Sequence, residues 1–176
     1  MSSETLSIKL QPKQYKSAVK PVWCPGCGDF GVLGSITKAM ASLQIQPENA
    51  AIISGIGCSS RMPTYLGTYG FHGVHGRALA LATGLKTARP DLTVIATGGD
   101  GDGFSIGGNH FLHTARRNPD ITYIVMDNQV YGMTKGQASP TTEPNWQRGK
   151  LTPAGTGINP FQPLAIALAS GANFIA

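Results

Sequence analysis

A chain of 176 residues, 41% apolar and 13% charged, is long enough to bury a real core and too apolar to be disordered. Its net charge of +5 is spread along the sequence, so the one-sided basic face of a nucleic-acid binder is missing; an acidic protein partner suits such a surface better. No run approaches the roughly 18 apolar residues of a membrane span, and the polar start MSSETLSIKLQPKQYK lacks the centre of a signal peptide. The cytoplasm is the expected compartment, where the three cysteines are not expected to form structural disulfides.

Residues 1–20 read as an extended N-terminal arm and 21–176 as one domain. After Asp29, a suitable N-cap, Val32, Leu33, Ile36, Ala39, Met40 and Leu43 recur at helical spacing. The run AAIIS, ending at Ser54, predicts a short buried strand that leads into the loop GIGCSSRMP. A helix is expected over about 77–88, then a second buried strand over 92–97 running into GGDGDGFSIGG. A further helix covers about 108–117, stopped by Asn118 and Pro119. A third strand over 121–126 ends at Asp127 and Asn128. A loop rich in Thr, Pro and Gly fills 132–160, residues 164–170 are helical, and 172–175 begin another strand.

Apolar strands alternating with helices predict an α/β fold, a mostly parallel sheet with helices on both faces. Ligands bind such sheets beyond the carboxyl ends of the strands. The loops 55–61, 98–108 and 127–137 each follow a strand directly and are expected to converge on one rim. Ala176 falls within or just after the last expected strand, so the domain is expected to be incomplete at its C-terminal end.

The run from Gly98 to Gly103 sets two carboxylates, Asp100 and Asp102, in a glycine loop. Glycines let backbone N–H groups approach a phosphate, and the following helix offers its N-terminus. Bare carboxylates would repel a diphosphate, so a cation must bridge them, and magnesium takes carboxylate, amide, carbonyl and phosphate oxygens. Asn128, 28 residues after Asp100, and the Val130 carbonyl supply the remaining protein oxygens from the end of the next strand. A calcium loop of the EF-hand type is excluded, since no DxDxDG run with a distal Glu is present.

GDG, a spacer of nearly thirty residues and an Asn resemble the thiamine-diphosphate motif; the usual Asn pair here reads Asp127 and Asn128. The CxxC of Cys24 and Cys27, with Cys58 following 31 residues later, is by itself open to zinc, a redox dithiol or an iron–sulfur cluster. Cys58 on the cofactor-facing loop favours a redox centre. The set WCPGCG, GIGCSSR, HGRALALATGLK, GGDGDGFSIGGNH and DNQVYGMTKGQASPT closely resembles the β subunit of 2-oxoacid:ferredoxin oxidoreductases, most of all the 2-oxoglutarate type, from about residue 16 onward.

That resemblance implies oxidative decarboxylation of a 2-oxoacid, with coenzyme A taking the acyl group and ferredoxin the electrons. It implies thiamine diphosphate with Mg²⁺ on Asp100, Asn128 and Val130, and a [4Fe–4S] cluster on Cys24, Cys27 and Cys58. The fourth Cys of relatives lies beyond residue 176, in keeping with a shortened chain. Ile56, Gly57, Cys58, Ser59, His75, Asp100, Gly101, Asp102, Asn128, Gly132, Met133 and Thr134 are the implied cofactor-lining residues. Arg61 and Lys135 follow two of these loops, and both cations suit the carboxylates of 2-oxoglutarate. The Glu that activates the aminopyrimidine belongs to a second cofactor domain, so an α subunit is the expected partner and this chain alone is expected to be inactive.

Two other functions compete. A non-redox thiamine-dependent decarboxylase or synthase needs no cysteine triad and would give colourless preparations. A zinc-stapled interaction module would bind zinc through the three cysteines and ignore thiamine.

Overall fold

The computed structural model describes residues 9–147 and 152–176; the first eight residues of the expected arm and part of the loop expected over 132–160 lie outside the described residues. Four parallel strands form the central sheet in the order β2-β1-β3-β4. They are β1 (Ala50–Ser54), β2 (Tyr69–His72), β3 (Thr93–Gly99) and β4 (Thr122–Met126). The main helices are α1 (Asp29–Ser42), the short α2 (Met62–Tyr65), α3 (Ala78–Ala88), α4 (Gly108–Arg117) and α5 (Pro163–Ser170). A two-stranded antiparallel hairpin, β5 (Val130–Tyr131) and β6 (Gln137–Ala138), stands apart from the sheet.

Strand periodicity sorts the core into two layers, because successive side chains leave opposite faces of the sheet. Ile52 and Ile95, paired across β1 and β3, face α1 and pack with Leu33, Ile36, Met40, Met62 and Tyr65. Ala51, Ile53, Val94 and Ala96 face the other way, onto Leu79, Ala82, Phe104 and Phe111. Covering both faces is what lets β1 be buried along its whole length. None of the described helices is long and apolar enough to cross a membrane.

Several expectations are corrected. The described part of the arm is not extended throughout: Pro12–Tyr15 is a 3₁₀ helix, and Tyr15, fully buried, hydrogen-bonds the carbonyls of Met40 and Ile45. A partly apolar stretch that can bury a phenol does not stay in solvent. Gly28, not Asp29, caps α1, and Asp29 is its first helical residue. The strand expected at 172–175 does not form. Gly171 ends α5 in a left-handed turn (φ +99°), the N–H of Ala172 returns to the Ala167 carbonyl, and Asn173 N–H reaches Asn118 rather than a neighbouring strand. Strand β2 was not expected, since YGFH lacks alternation and all four residues are exposed; it exists through pairing with β1.

Candidate functional site

The ends of β1, β3 and β4 lie side by side, because Ser54 pairs with Thr97 and Gly99 with Met126 in parallel register. The three loops that follow them therefore meet at one rim, and their side chains bond across it.

The central strand supplies the GDGD run. Gly101–Ile106 forms a π-helical segment rather than an open loop, continuing into α4. Its glycines stand where there is no room for more: a Cβ on Gly101 would lie 2.2 Å from the Tyr131 ring, and one on Gly103 2.2 Å from the Tyr123 hydroxyl. Tyr131 Oη donates to the Gly101 carbonyl at 3.2 Å and so fastens the β4 loop to the β3 loop.

Asp100 and Asp102 are 2% and 4% exposed and face opposite neighbours. Asp102 Oδ1 accepts three hydrogen bonds from the β1 side: Ile56 N–H at 3.0 Å, Gly76 N–H at 2.7 Å and His75 Nδ1 at 2.6 Å. Because a carboxylate only accepts, His75 carries a hydrogen on Nδ1. Asp102 Oδ2 is buried without a hydrogen bond among the described residues. Asp102 thus acts as a buried knot between the loops at 55–59, 75–76 and 101–103, a role that its place in the GDGD run does not reveal.

Asp100 faces the β4 side. Its Oδ2 accepts from Thr141 Oγ1 at 2.8 Å, and the same Thr141 oxygen lies 2.9 Å from Asp127 Oδ1. Asp127 Oδ1 also accepts the Gln129 N–H at 2.9 Å, and Asn128 Oδ1 accepts the Val130 N–H at 3.2 Å. These turns put Gln129 in a left-handed conformation (φ +59°) and bring Asp100, Asn128 and Val130 to neighbouring strand ends. Asp100 Oδ1 makes no hydrogen bond among the described residues, and Asn128 Oδ1 keeps a second lone pair. Two carboxylates around one hydroxyl, with free oxygens beside them, are a donor set that fits a hard divalent cation. Thr141 was not foreseen; a Thr in a Ser-Pro-Thr-Thr run carries no signal until the hairpin folds it back.

The cysteine loops meet at one edge of this rim. Trp23 Nε1 donates to the Cys58 carbonyl at 2.7 Å, and the Cys27 N–H closes a turn onto the Cys24 carbonyl at 3.0 Å. All three thiols are free, with Cys24 and Cys58 exposed. Burial pushes the Cys27 thiol up; a hydrogen bond from the Asp29 backbone opposes this, while the Asp29 carboxylate and Cys58 add to it. Burial likewise raises the Asp29 carboxyl. Among the described residues no three His, Cys, Asp or Glu side chains are grouped closely enough to hold one metal ion. A [4Fe–4S] cluster takes four thiolates, and this sequence has three cysteines.

The remaining expected positions are more open. Ile56, Gly132, Met133 and Thr134 lie at the rim, with Thr134 Oγ1 bonded to the Tyr131 carbonyl; Gly57 takes φ +126° and Ser59 is buried. Arg61 ends the 3₁₀ turn Ser59–Arg61, and Lys135 occupies a left-handed position (φ +68°) in the β5–β6 turn. Both are exposed, and neither has an ion-pair partner among the described residues.

Comparison with known proteins shows the family of the chain. Residues 55–176 match the family described as thiamine pyrophosphate enzyme, C-terminal TPP binding domain. The chain belongs to that family. It is 50% identical over 163 residues to the 2-oxoglutarate oxidoreductase subunit KorB of Mycobacterium tuberculosis, covering 93% of this chain and 43% of that protein. It is 49% identical to 2-oxoacid:ferredoxin oxidoreductase 2, subunit beta, of Aeropyrum pernix, over 92% of this chain and 52% of that one. A solved 2-oxoglutarate:ferredoxin oxidoreductase from Magnetococcus marinus, with 2-oxoglutarate, coenzyme A and succinyl-CoA bound, superposes with a TM-score of 0.90 at 55% identity, covering 93% of this chain and 56% of that chain. The chain thus spans about half the length of these relatives.

Proposed function

We propose that this chain is the thiamine-diphosphate-binding part of the β subunit of a 2-oxoglutarate:ferredoxin oxidoreductase, working in the cytoplasm with an α subunit. The observation that carries the reading is the meeting of Asp100, Asn128 and Val130 at two adjacent strand ends, beside a glycine-lined rim fastened by Asp102 and Tyr131. Asp100 Oδ1, Asn128 Oδ1 and the Val130 carbonyl would hold Mg²⁺ and, through it, the diphosphate. When bound, thiamine diphosphate supplies a carbon nucleophile and an electron sink for decarboxylation.

The chain's own residues would prepare that site. Asp102 fixes His75 and the Ile56–Ser59 loop in place, so that Cys58 stands at the edge of the cofactor rim. Cys24, Cys27 and Cys58 would give three thiolates of a [4Fe–4S] cluster, with the fourth coming from elsewhere. Arg61 and Lys135, exposed and unpaired among the described residues, suit the two carboxylates of 2-oxoglutarate. A partner subunit also fits the surface, for Tyr69, Phe71 and Val74 on one edge and Leu164, Leu168 and Phe174 on another are more than half exposed. Such patches are uncommon on a surface that meets only water. Coenzyme A as acyl acceptor and ferredoxin as electron acceptor complete the proposal.

The test is anaerobic co-purification with the α subunit, followed by reduction of a viologen dye. Reduction that requires 2-oxoglutarate and coenzyme A supports the proposal. A brown complex with bound thiamine diphosphate and no such reduction overturns it.

A further inference from the structure

The expected cation ligands leave Thr141 and Asp127 unassigned, yet both converge on Asp100. Thr141 is 4% exposed and lies 41 residues from Asp100 in sequence. It reaches the rim because the chain doubles back through β5 and β6, and a set of short-range bonds holds it there. Ser139 N–H donates to Thr142 Oγ1 at 2.7 Å, and Thr142 Oγ1 in turn donates to the Gln129 carbonyl. The turn at 139–142 is therefore clamped onto the turn at 127–130.

Proton counting makes the arrangement informative. A threonine hydroxyl has one hydrogen, yet Thr141 Oγ1 lies 2.8 Å from one carboxylate and 2.9 Å from another. The single hydroxyl is therefore shared between the two carboxyl groups and ties Asp127 to Asp100. Asp127 is exposed while Asp100 is buried, so the shared hydroxyl links a solvent-facing carboxyl group to the buried one.

We infer that Thr141 and Asp127 form the outer support of the cation site: Thr141 takes Asp100 Oδ2 and so presents Oδ1 to the metal, while Asp127 adds negative charge through the same hydroxyl. Both are positioning residues, since neither is assigned a bond to the ion. The inference rests on the proposal that Asp100 binds Mg²⁺. Groups of this kind fix the orientation and basicity of a ligating carboxylate, and their loss typically weakens metal binding about 10- to 100-fold.

The experiment uses the assembled αβ complex with thiamine diphosphate and reads Mn²⁺ affinity by electron paramagnetic resonance of the free ion, independent of turnover. Thr141→Val, which keeps the shape, is expected to weaken Mn²⁺ binding about 10- to 100-fold. Thr141→Ser, which keeps the hydroxyl, is expected to restore affinity to near the parent value. Asp127→Asn keeps the oxygen that accepts Gln129 N–H and removes the charge, and is expected to weaken binding about 10-fold. If Thr141→Val does not fold, Asp127→Asn carries the test. Parent-like affinity in Thr141→Val or, failing that variant, in Asp127→Asn overturns the inference, as does a loss that Thr141→Ser fails to restore. Asp100→Asn separates the two levels. If it abolishes binding while the outer variants do not, the outer support alone is refuted; if it too binds normally, the assignment of Asp100 falls.

Discussion

Gly55→Ala is the substitution that most directly probes the knot on which the rim depends. A Cβ at Gly55 would lie 2.0 Å from Asp102 Oδ2 and 2.6 Å from its Cγ. A carboxylate at the end of a free side chain could swing away, but this one cannot do so cheaply. It is 4% exposed, and its Oδ1 holds Ile56 N–H, Gly76 N–H and His75 Nδ1. Hydrogen bonds to a charged group contribute about 1.5–3 kcal/mol each. They act as one unit, so displacing the carboxylate is expected to cost about 3–5 kcal/mol, a large share of the 5–15 kcal/mol available to a typical domain.

Urea unfolding of the parent, Gly55→Ala, Asp102→Ala and the double variant measures this directly. Gly55→Ala is expected to lower the midpoint with an unchanged slope. In Asp102→Ala the carboxylate that the new methyl would strike is gone, so adding Gly55→Ala there is expected to cost little. The reasoning is refuted if Gly55→Ala loses less than about 1 kcal/mol, or if the two losses simply add, since additivity is the mark of sites that do not touch.

Three further outcomes are expected. If Arg61 and Lys135 pair with the substrate carboxylates as proposed, Arg61→Ala and Lys135→Ala should each raise KM for 2-oxoglutarate more than they lower kcat; steady-state kinetics with unchanged KM in both would remove them from the substrate site. Cys58→Ser should lower iron content and bleach the brown colour while thiamine diphosphate still binds, so parent-like iron by metal analysis would exclude Cys58 as a ligand. Burial, with Asp102 and Asp100 nearby, pushes the Tyr123 phenol above its ordinary value of 10.0, and burial raises Tyr15 as well. The neutral folded form then competes with an unfolded chain that ionises, so stability should hold below pH 10 and decline above it, with Tyr123→Phe declining less steeply in urea midpoints taken across that range.

The parts of the fold legible in the sequence are those set by local chemistry. The helix over 108–117 was bounded by its own residues, since Asn118 adopts a left-handed conformation (φ +47°) and Pro119 cannot continue the helix. The buried runs of β1 and β3 announced a parallel sheet, and their ends announced the rim. What was hidden depends on partners distant in sequence. The strand β2 is made by its pairing with β1, and the segment expected as a strand at 172–175 has no such pairing. The resemblance implies Asp102 as a cofactor-lining residue but not the loops it fastens, for its three backbone and imidazole donors come from positions 26 to 46 residues away, which no spacing rule encodes. Thr141 was invisible for the same reason.

The spacing of the two aspartates now has a physical reason beyond the presence of two charges. In either helical form, two residues turn the chain through roughly half a revolution, so side chains at i and i+2 leave on opposite sides. Since β3 lies between β1 and β4, the segment that follows it can hold one neighbour with each aspartate. Asp102 turns to the β1 side and fastens Ile56, while Asp100 turns to the β4 side and meets Thr141 and Asp127. The glycines between and beside them keep the segment thin enough for Tyr131 and Tyr123 to lie against it. GDGD is thus a two-sided clamp on the central strand. A metal bound at Asp100 would be coupled through three residues of backbone to the loop that carries Cys58, so this short connection would hold the proposed cation site and the cysteine loop in fixed relation.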